Sequence, residues 1–90
     1  MDKIFQLNIL TSDKTIYNGK AVSLTAPGEA GYLGILPNHA SLLTTLVAGK
    51  IVFKDDKGEQ KIFDSKSKGF LEVLSNEVTV VLTEGTASSS

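Results

Sequence analysis

The sequence predicts an all-β fold, a two-sheet antiparallel β-sandwich flattened toward a barrel. Three observations carry this expectation. Roughly eight or nine short runs alternate apolar and polar residues at period two. Gly, Pro, Asn and Asp punctuate those runs every ~8–12 residues, the spacing of strand-and-turn architectures. The one stretch with helical spacing, Ala40 to Val47 with Leu42, Leu43 and Leu46, also carries Thr44, Thr45 and Val47, which favour extended chain.

In chain order, Phe5, Leu7 and Ile9 alternate with Gln6 and Asn8, the pattern of a strand with one buried face. Ser12-Asp13-Lys14 reads as a turn. Ile16-Tyr17 forms a short second run before Asn18-Gly19, a hairpin signal because both residues tolerate positive φ. Val22, Leu24 and Ala26 alternate with Ser23 and Thr25 as a third strand, which Pro27-Gly28 ends. A dense corner follows from Gly31 to Gly49, holding Gly34, Pro37 and the only histidine, His39, beside apolar Leu33, Ile35, Leu42, Leu43 and Leu46. Turn residues this concentrated indicate a folded corner rather than a loose loop. Ile51-Val52-Phe53 and Ile62-Phe63 flank a charged tip, Asp55-Asp56-Lys57-Gly58, as another hairpin. Phe70 to Leu74 and Val78 to Leu82, joined by Ser75-Asn76-Glu77, form the last pair. No internal repeat, heptad or linker interrupts the chain, so residues 1–84 form one domain. Residues 85–90, polar and small, are expected to be a disordered tail.

Composition narrows the function. Ninety residues with 41% hydrophobic and 21% charged side chains suit one globular core. Cysteine is absent, so the core must hold the fold without disulfides and no thiolate metal site is possible. The net charge is −1, all nine basic residues are Lys, and aromatic residues make up 7%. Arg forks and stacking rings are the usual nucleic-acid readers, so nucleic acid is disfavoured as a partner. No apolar run approaches the ~18 residues that span a bilayer, so no direct membrane insertion is expected. Met-Asp-Lys-Ile-Phe lacks the basic flank and apolar run of a signal peptide and reads as the mature start.

The search for chemistry centres on His39, the side chain best suited to proton transfer near neutral pH. Ser41 lies two residues on, which in extended chain puts both side chains on one face. No glycine-flanked nucleophile elbow surrounds that serine, and a histidine at a turn or contact surface is the plainer reading. One His and scattered acids do not supply the ligand cluster of a zinc or calcium site, so no metal is expected. Gly28, Gly31 and Gly34 match neither the dinucleotide fingerprint nor the P-loop, so turn formation explains them and no cofactor is expected. Lys57 stands at an exposed hairpin tip, as lysines do in lipoyl and biotinyl carrier domains. That carrier reading is the alternative, although Gly58 departs from the small apolar residue that usually follows such a lysine.

The run Gly34-Ile35-Leu36-Pro37-Asn38-His39-Ala40-Ser41-Leu42-Leu43-Thr44, followed by Gly49-Lys50, resembles the signature of the epsilon subunit family of F-type ATP synthases. Phe5 to Thr11 is similar to that family's opening strand, Tyr17-Asn18-Gly19 to its first hairpin, and Gly69 to Val73 with Val78-Thr79-Val80 to its closing pair. Together these pieces cover residues 4–83 in the right order. The resemblance implies a two-sheet antiparallel sandwich and a rotor part that does no catalysis. Its implied partners are the gamma subunit of the central stalk and the polar loops of the c-ring, and its implied place is the cytoplasmic face of a bacterial plasma membrane, held peripherally.

By position, the resemblance places Thr11 and His39 near gamma and makes Pro37, Asn38, His39, Ala40, Leu42 and Leu43 the gamma-facing ridge. In such a surface a few buried apolar anchors supply most of the affinity. Tyr32 falls where some members carry an acidic residue toward the c-ring loops; with Tyr there, neighbouring Glu29 supplies the charge. Many members continue into two C-terminal helices that inhibit ATP hydrolysis and in some bind ATP. This chain ends at Ser90, so neither property is expected of it.

Overall fold

Alternation of side chains decides which face of each strand goes inward. The computed structural model describes residues 3–83, and within them eight strands form and no helix. They are β1 (Phe5–Leu10), β2 (Thr15–Gly28), β3 (Gly31–Ile35), β4 (Leu42–Leu46), β5 (Gly49–Asp55), β6 (Gln60–Ser65), β7 (Gly69–Leu74) and β8 (Glu77–Leu82). On β1 the buried residues are Phe5, Leu7 and Ile9, and on β7 they are Gly69, Leu71 and Val73, strictly every second position. The tail expectation for residues 85–90 lies outside the described residues.

Strands β1, β8, β7, β4 and β2 are hydrogen-bonded in that order, and a β1–β2 pairing closes them into a ring; β5 and β3 pair with β2, and β6 pairs with β5. The ring is flattened, with principal extents of 35 × 26 × 21 Å. Phe5, Leu7, Ile9, Leu71, Val73, Val78 and Val80 share one core with Leu24, Ala26, Ile35, Ile51, Phe53 and Phe63. This is the β-sandwich expected from the alternation. Each fully buried side chain of this size contributes about 1.5–3 kcal/mol by leaving water.

Two features differ from the sequence reading. The β1–β8 pair is parallel, with Gln6 opposite Glu77 and Leu10 opposite Val81, so the sandwich is not wholly antiparallel. No hairpin links these two strands; the rest of the chain is their crossover, and only a long connection permits parallel neighbours. Asn18-Gly19 makes no turn. Both residues lie inside the 14-residue β2, opposite Asn8 and Leu7 of β1, and the expected second and third strands are one. Asn18 donates its side-chain amide to Asn8 Oδ1 across the ladder. Gly19 is needed for clearance instead: a Cβ there would stand 2.8 Å from Tyr17 Oη, whose ring folds over the glycine to reach the Lys20 carbonyl at 2.9 Å. The reversal between β1 and β2 is made earlier, by the predicted turn at Ser12 to Lys14, where Thr11 donates its N–H to the Lys14 carbonyl.

The length of β2 lets one strand serve both layers. Phe5 to Leu10 pair with its first half, β5 and β3 with its second, and Gly28 at its end meets Leu46 of β4. A register shift between Ala21 and Ser23 marks the bend. The segment Ala40 to Val47 is extended as expected, with β4 laid antiparallel on β7 from Leu42–Val73 to Leu46–Gly69.

Candidate docking surface

Residues 36–41 join β3 to β4 and stand outside the strand ladders. Asn38 takes a left-handed φ of 67°, a conformation Asn tolerates better than most residues. Its N–H is bonded at 2.8 Å by the side-chain oxygen of Asn76, in the two-residue turn between β7 and β8. The corner is therefore folded, and its anchor comes from 38 residues away. Leu36 is 61% exposed and Leu43 71%, while Pro37, His39 and Leu42 are half-buried and Asn38 and Ala40 exposed. Leu42 packs against the core, so its neighbour Leu43 is forced outward by alternation.

His39 places Nδ1 2.7 Å from the Ala40 carbonyl, a contact that needs the proton on Nδ1. That nitrogen is engaged with a backbone acceptor next to it, which suits a positioned surface side chain better than a general base. Among the described residues no group of three or more His, Cys, Asp and Glu comes together to hold a metal.

Leu43 lies opposite Glu72 of β7, and a shallow groove lined by Ser41, Leu42, Leu43, Glu72, Val73 and Leu74 continues the surface onto that strand. Leu74 is 55% exposed, and Phe70 lies further along the same face of β7 at 50%. Glu72 and Leu74 are therefore part of this surface although sequence reasoning did not name them as site residues. The signal was present in Phe70 to Leu74, where apolar residues fall at both even and odd positions. A strand with apolar residues on both faces has an outer face that water alone does not satisfy.

Thr11 is not brought to this surface. It is buried in the β1–β2 turn, where its hydroxyl contacts Asp13 Oδ1 at 3.0 Å and accepts the Lys14 N–H at 3.2 Å. Asn76 holds the other end of β1, at Ile4, so on the order of 20 Å of extended chain separates Thr11 from the Asn38 loop. Glu29 and Tyr32 do share a place, the β2–β3 hairpin, where Glu29-Ala30 turn between paired Gly28 and Gly31. Tyr32 is 60% exposed and its hydroxyl accepts the Lys50 N–H at 3.4 Å. This tip meets β4 at Leu46, the opposite end of that strand from Leu42. Lys57 sits at the exposed β5–β6 tip as expected.

A family model described as the β-sandwich domain of the ATP synthase delta/epsilon chain matches residues 4–87. The chain belongs to this family. The ATP synthase epsilon chain of Dichelobacter nodosus is 36% identical over 90 residues, covering 100% of this chain and 62% of the relative. That of Sulfurimonas denitrificans is 44% identical over 81 residues, covering 89% of this chain and 60% of the relative. This chain thus spans about three-fifths of the length of these epsilon chains. Among solved structures, a chain of the Euglena gracilis mitochondrial ATP synthase in an OSCP/F1/c-ring assembly superposes with a TM-score of 0.86 at 18% identity, covering 97% of this chain and 55% of that one. A chain of the Tetrahymena thermophila mitochondrial ATP synthase central stalk and c-ring gives 0.68 at 15%, covering 88% and 63%. At such identities the likeness is one of fold alone.

Proposed function

We propose that this chain is a non-catalytic central-stalk subunit of a proton-translocating F-type ATP synthase. In this reading the ridge of Pro37 to Leu43 docks on gamma, and the β2–β3 tip with Glu29 and Tyr32 rests on the polar loops of the c-ring. Holding both, it keeps proton-driven rotation of the ring from slipping against the stalk. It sits peripherally, on the cytoplasmic face of a bacterial plasma membrane.

The observation that carries the gamma contact is the apolar groove where exposed Leu43 and Leu74 lie side by side, next to a tethered loop. A monomer gains nothing from exposing two leucines side by side, whereas an interface buries them as anchors. The β2–β3 tip lies at the other end of β4, so two partners can be held at once without competing for one surface. Thr11 is left out of the gamma contact on account of its buried turn.

Binding of the purified chain to purified gamma tests the reading. Leu43→Glu, at 71% exposure, should leave the fold intact and weaken the complex on the order of tenfold or more, as loss of a central anchor does. No detectable complex between the unaltered chain and gamma would remove the proposal. A mass adduct on Lys57 after expression with a lipoyl or biotinyl ligase would move the chain to the carrier class instead.

A further inference from the structure

Two segments remote in sequence, the start of β1 and the β3–β4 loop, meet on Asn76. Its side-chain nitrogen donates to the Ile4 carbonyl at 2.6 Å, just ahead of β1. Its side-chain oxygen accepts the Asn38 N–H at 2.8 Å. Its own carbonyl accepts the Gln6 N–H at 3.2 Å. The two side-chain bonds fix the orientation of the amide, because a carbonyl cannot donate and an N–H cannot accept. Among the natural side chains, Asp keeps the oxygen toward Asn38 but brings no donor to Ile4, and Gly keeps neither. The backbone at Ser75 and Asn76 is left-handed, with φ of 52° and 62°, the pairing a two-residue hairpin turn demands. Asn is thus the residue that makes this turn without a glycine and still offers a donor and an acceptor on opposite sides.

The loop of residues 36–41 lies between ladders, so a bond to a fixed turn decides where its apex stands. We infer that Asn76 is the positioning residue of the docking surface. It sets Pro37 to Ala40 beside Leu43 and Leu74, and it ties that placement to the seating of the N-terminal strand. A loop already held in its bound form loses less conformational freedom on association, so the clamp acts through pre-organisation. This inference rests on reading the ridge as the gamma contact.

The test uses the whole chain, purified gamma and two variants, Asn76→Gly and Asn76→Asp. Glycine takes a φ of 62° without strain, so the turn survives in the first. Both variants lose the Ile4 bond, and Asp also sets a carboxylate oxygen against the Ile4 carbonyl, so any extra destabilisation falls on the variant expected to bind well. Only glycine removes the bond from the Asn76 side chain to the Asn38 N–H. Hydrogen exchange should therefore show the Asn38 amide protected in the unaltered chain and in Asn76→Asp, and unprotected in Asn76→Gly. Dissociation from gamma should be about tenfold faster for Asn76→Gly and near the unaltered rate for Asn76→Asp. A purely structural role would shift both variants together. Equal dissociation rates for the two variants, or an Asn38 amide still protected in Asn76→Gly, would overturn the inference. If the unaltered chain does not bind gamma, the docking reading fails, and the exchange comparison alone still decides whether Asn76 holds the loop.

Discussion

Asp55 is buried at the end of β5, and its carboxylate collects the turn that follows. It accepts the Glu59 N–H at 2.8 Å and the Lys57 N–H at 2.9 Å. These bonds, Glu59's first, hold its carboxyl below the ordinary aspartate range, against the opposing effect of burial. A carboxylate depressed on folding stabilises above its unfolded pKa of about 3.9 and loses that contribution as pH falls through the folded value. Asp55→Asn should therefore lower stability at neutral pH, and the gap from the unaltered chain should narrow progressively below pH ~4. Thermal melts across that range check it; a gap that stays constant into acid would show that the charge is not what matters. The same carboxylate reaches Tyr17. Burial pushes the Tyr17 phenol up, and Asp55 and then Asp56 push it further, so Asp55→Asn should bring its ultraviolet titration back toward the ordinary tyrosine range. None of this was legible beyond the turn itself: Asp-Asp-Lys-Gly announces a reversal, but which aspartate goes inward depends on the register of β5. His39 was easier, because the absence of a partner for chemistry in the sequence already favoured a contact role.

Strands were legible where alternation was clean and misread where a local signal competed with a distant one. Asn18-Gly19 is as good a hairpin pair as any in the sequence, yet β1 offers Asn8 and Leu7 opposite it, and the ladder wins. The glycines divide by what surrounds them. At Gly69, where β7 begins, a Cβ would stand 2.3 Å from the Val81 carbonyl oxygen and 3.0 Å from Leu82 Cδ2. The first of these is backbone in a paired strand and cannot move without parting β7 from β8. Gly69→Ala should cost about 1–3 kcal/mol or somewhat more, as overpacking does. At Gly34, on exposed β3, an added Cβ meets nothing within 4 Å, and its φ is ordinary. Gly34→Ala should be neutral or slightly stabilising, since glycine inside a strand has the larger conformational entropy to lose. Urea unfolding of the two variants separates these expectations, and a Gly69→Ala midpoint equal to that of the unaltered chain would mean that β7 and β8 have slack there. The proposed docking surface divides in the same way. Its β3–β4 half could be read from consecutive residues, whereas Leu74 joins it only because β4 lies on β7, and Thr11 leaves it because β1 runs the other way.

At the scale of the molecule, period-two alternation tells which side of a strand is buried but not which strand lies beside it. That is why the sandwich was legible and the closure by β1 was not. β1 is sealed between β2 and β8, and Asn8 reaches Glu77 across 69 residues of chain at 3.3 Å. The β5–β6 hairpin, by contrast, closes over a short turn held by Asp55. Bringing distant segments together costs loop entropy before any contact rewards it, so local hairpins are favoured in the folding nucleus and ring closure is favoured after it. Matched substitutions in the two places test this order. Ile9 on β1 and Ile51 on β5 are both 0% exposed, and shortening either to Val should cost about 0.5–1.5 kcal/mol. In stopped-flow urea kinetics Ile51→Val should slow folding in proportion to its stability loss, and Ile9→Val should leave folding nearly unchanged and speed unfolding. If Ile9→Val instead slows folding by its full loss, β1 is already docked in the transition state, through its local pairing with Tyr17 of β2, its parallel pairing with Val80 of β8, or both.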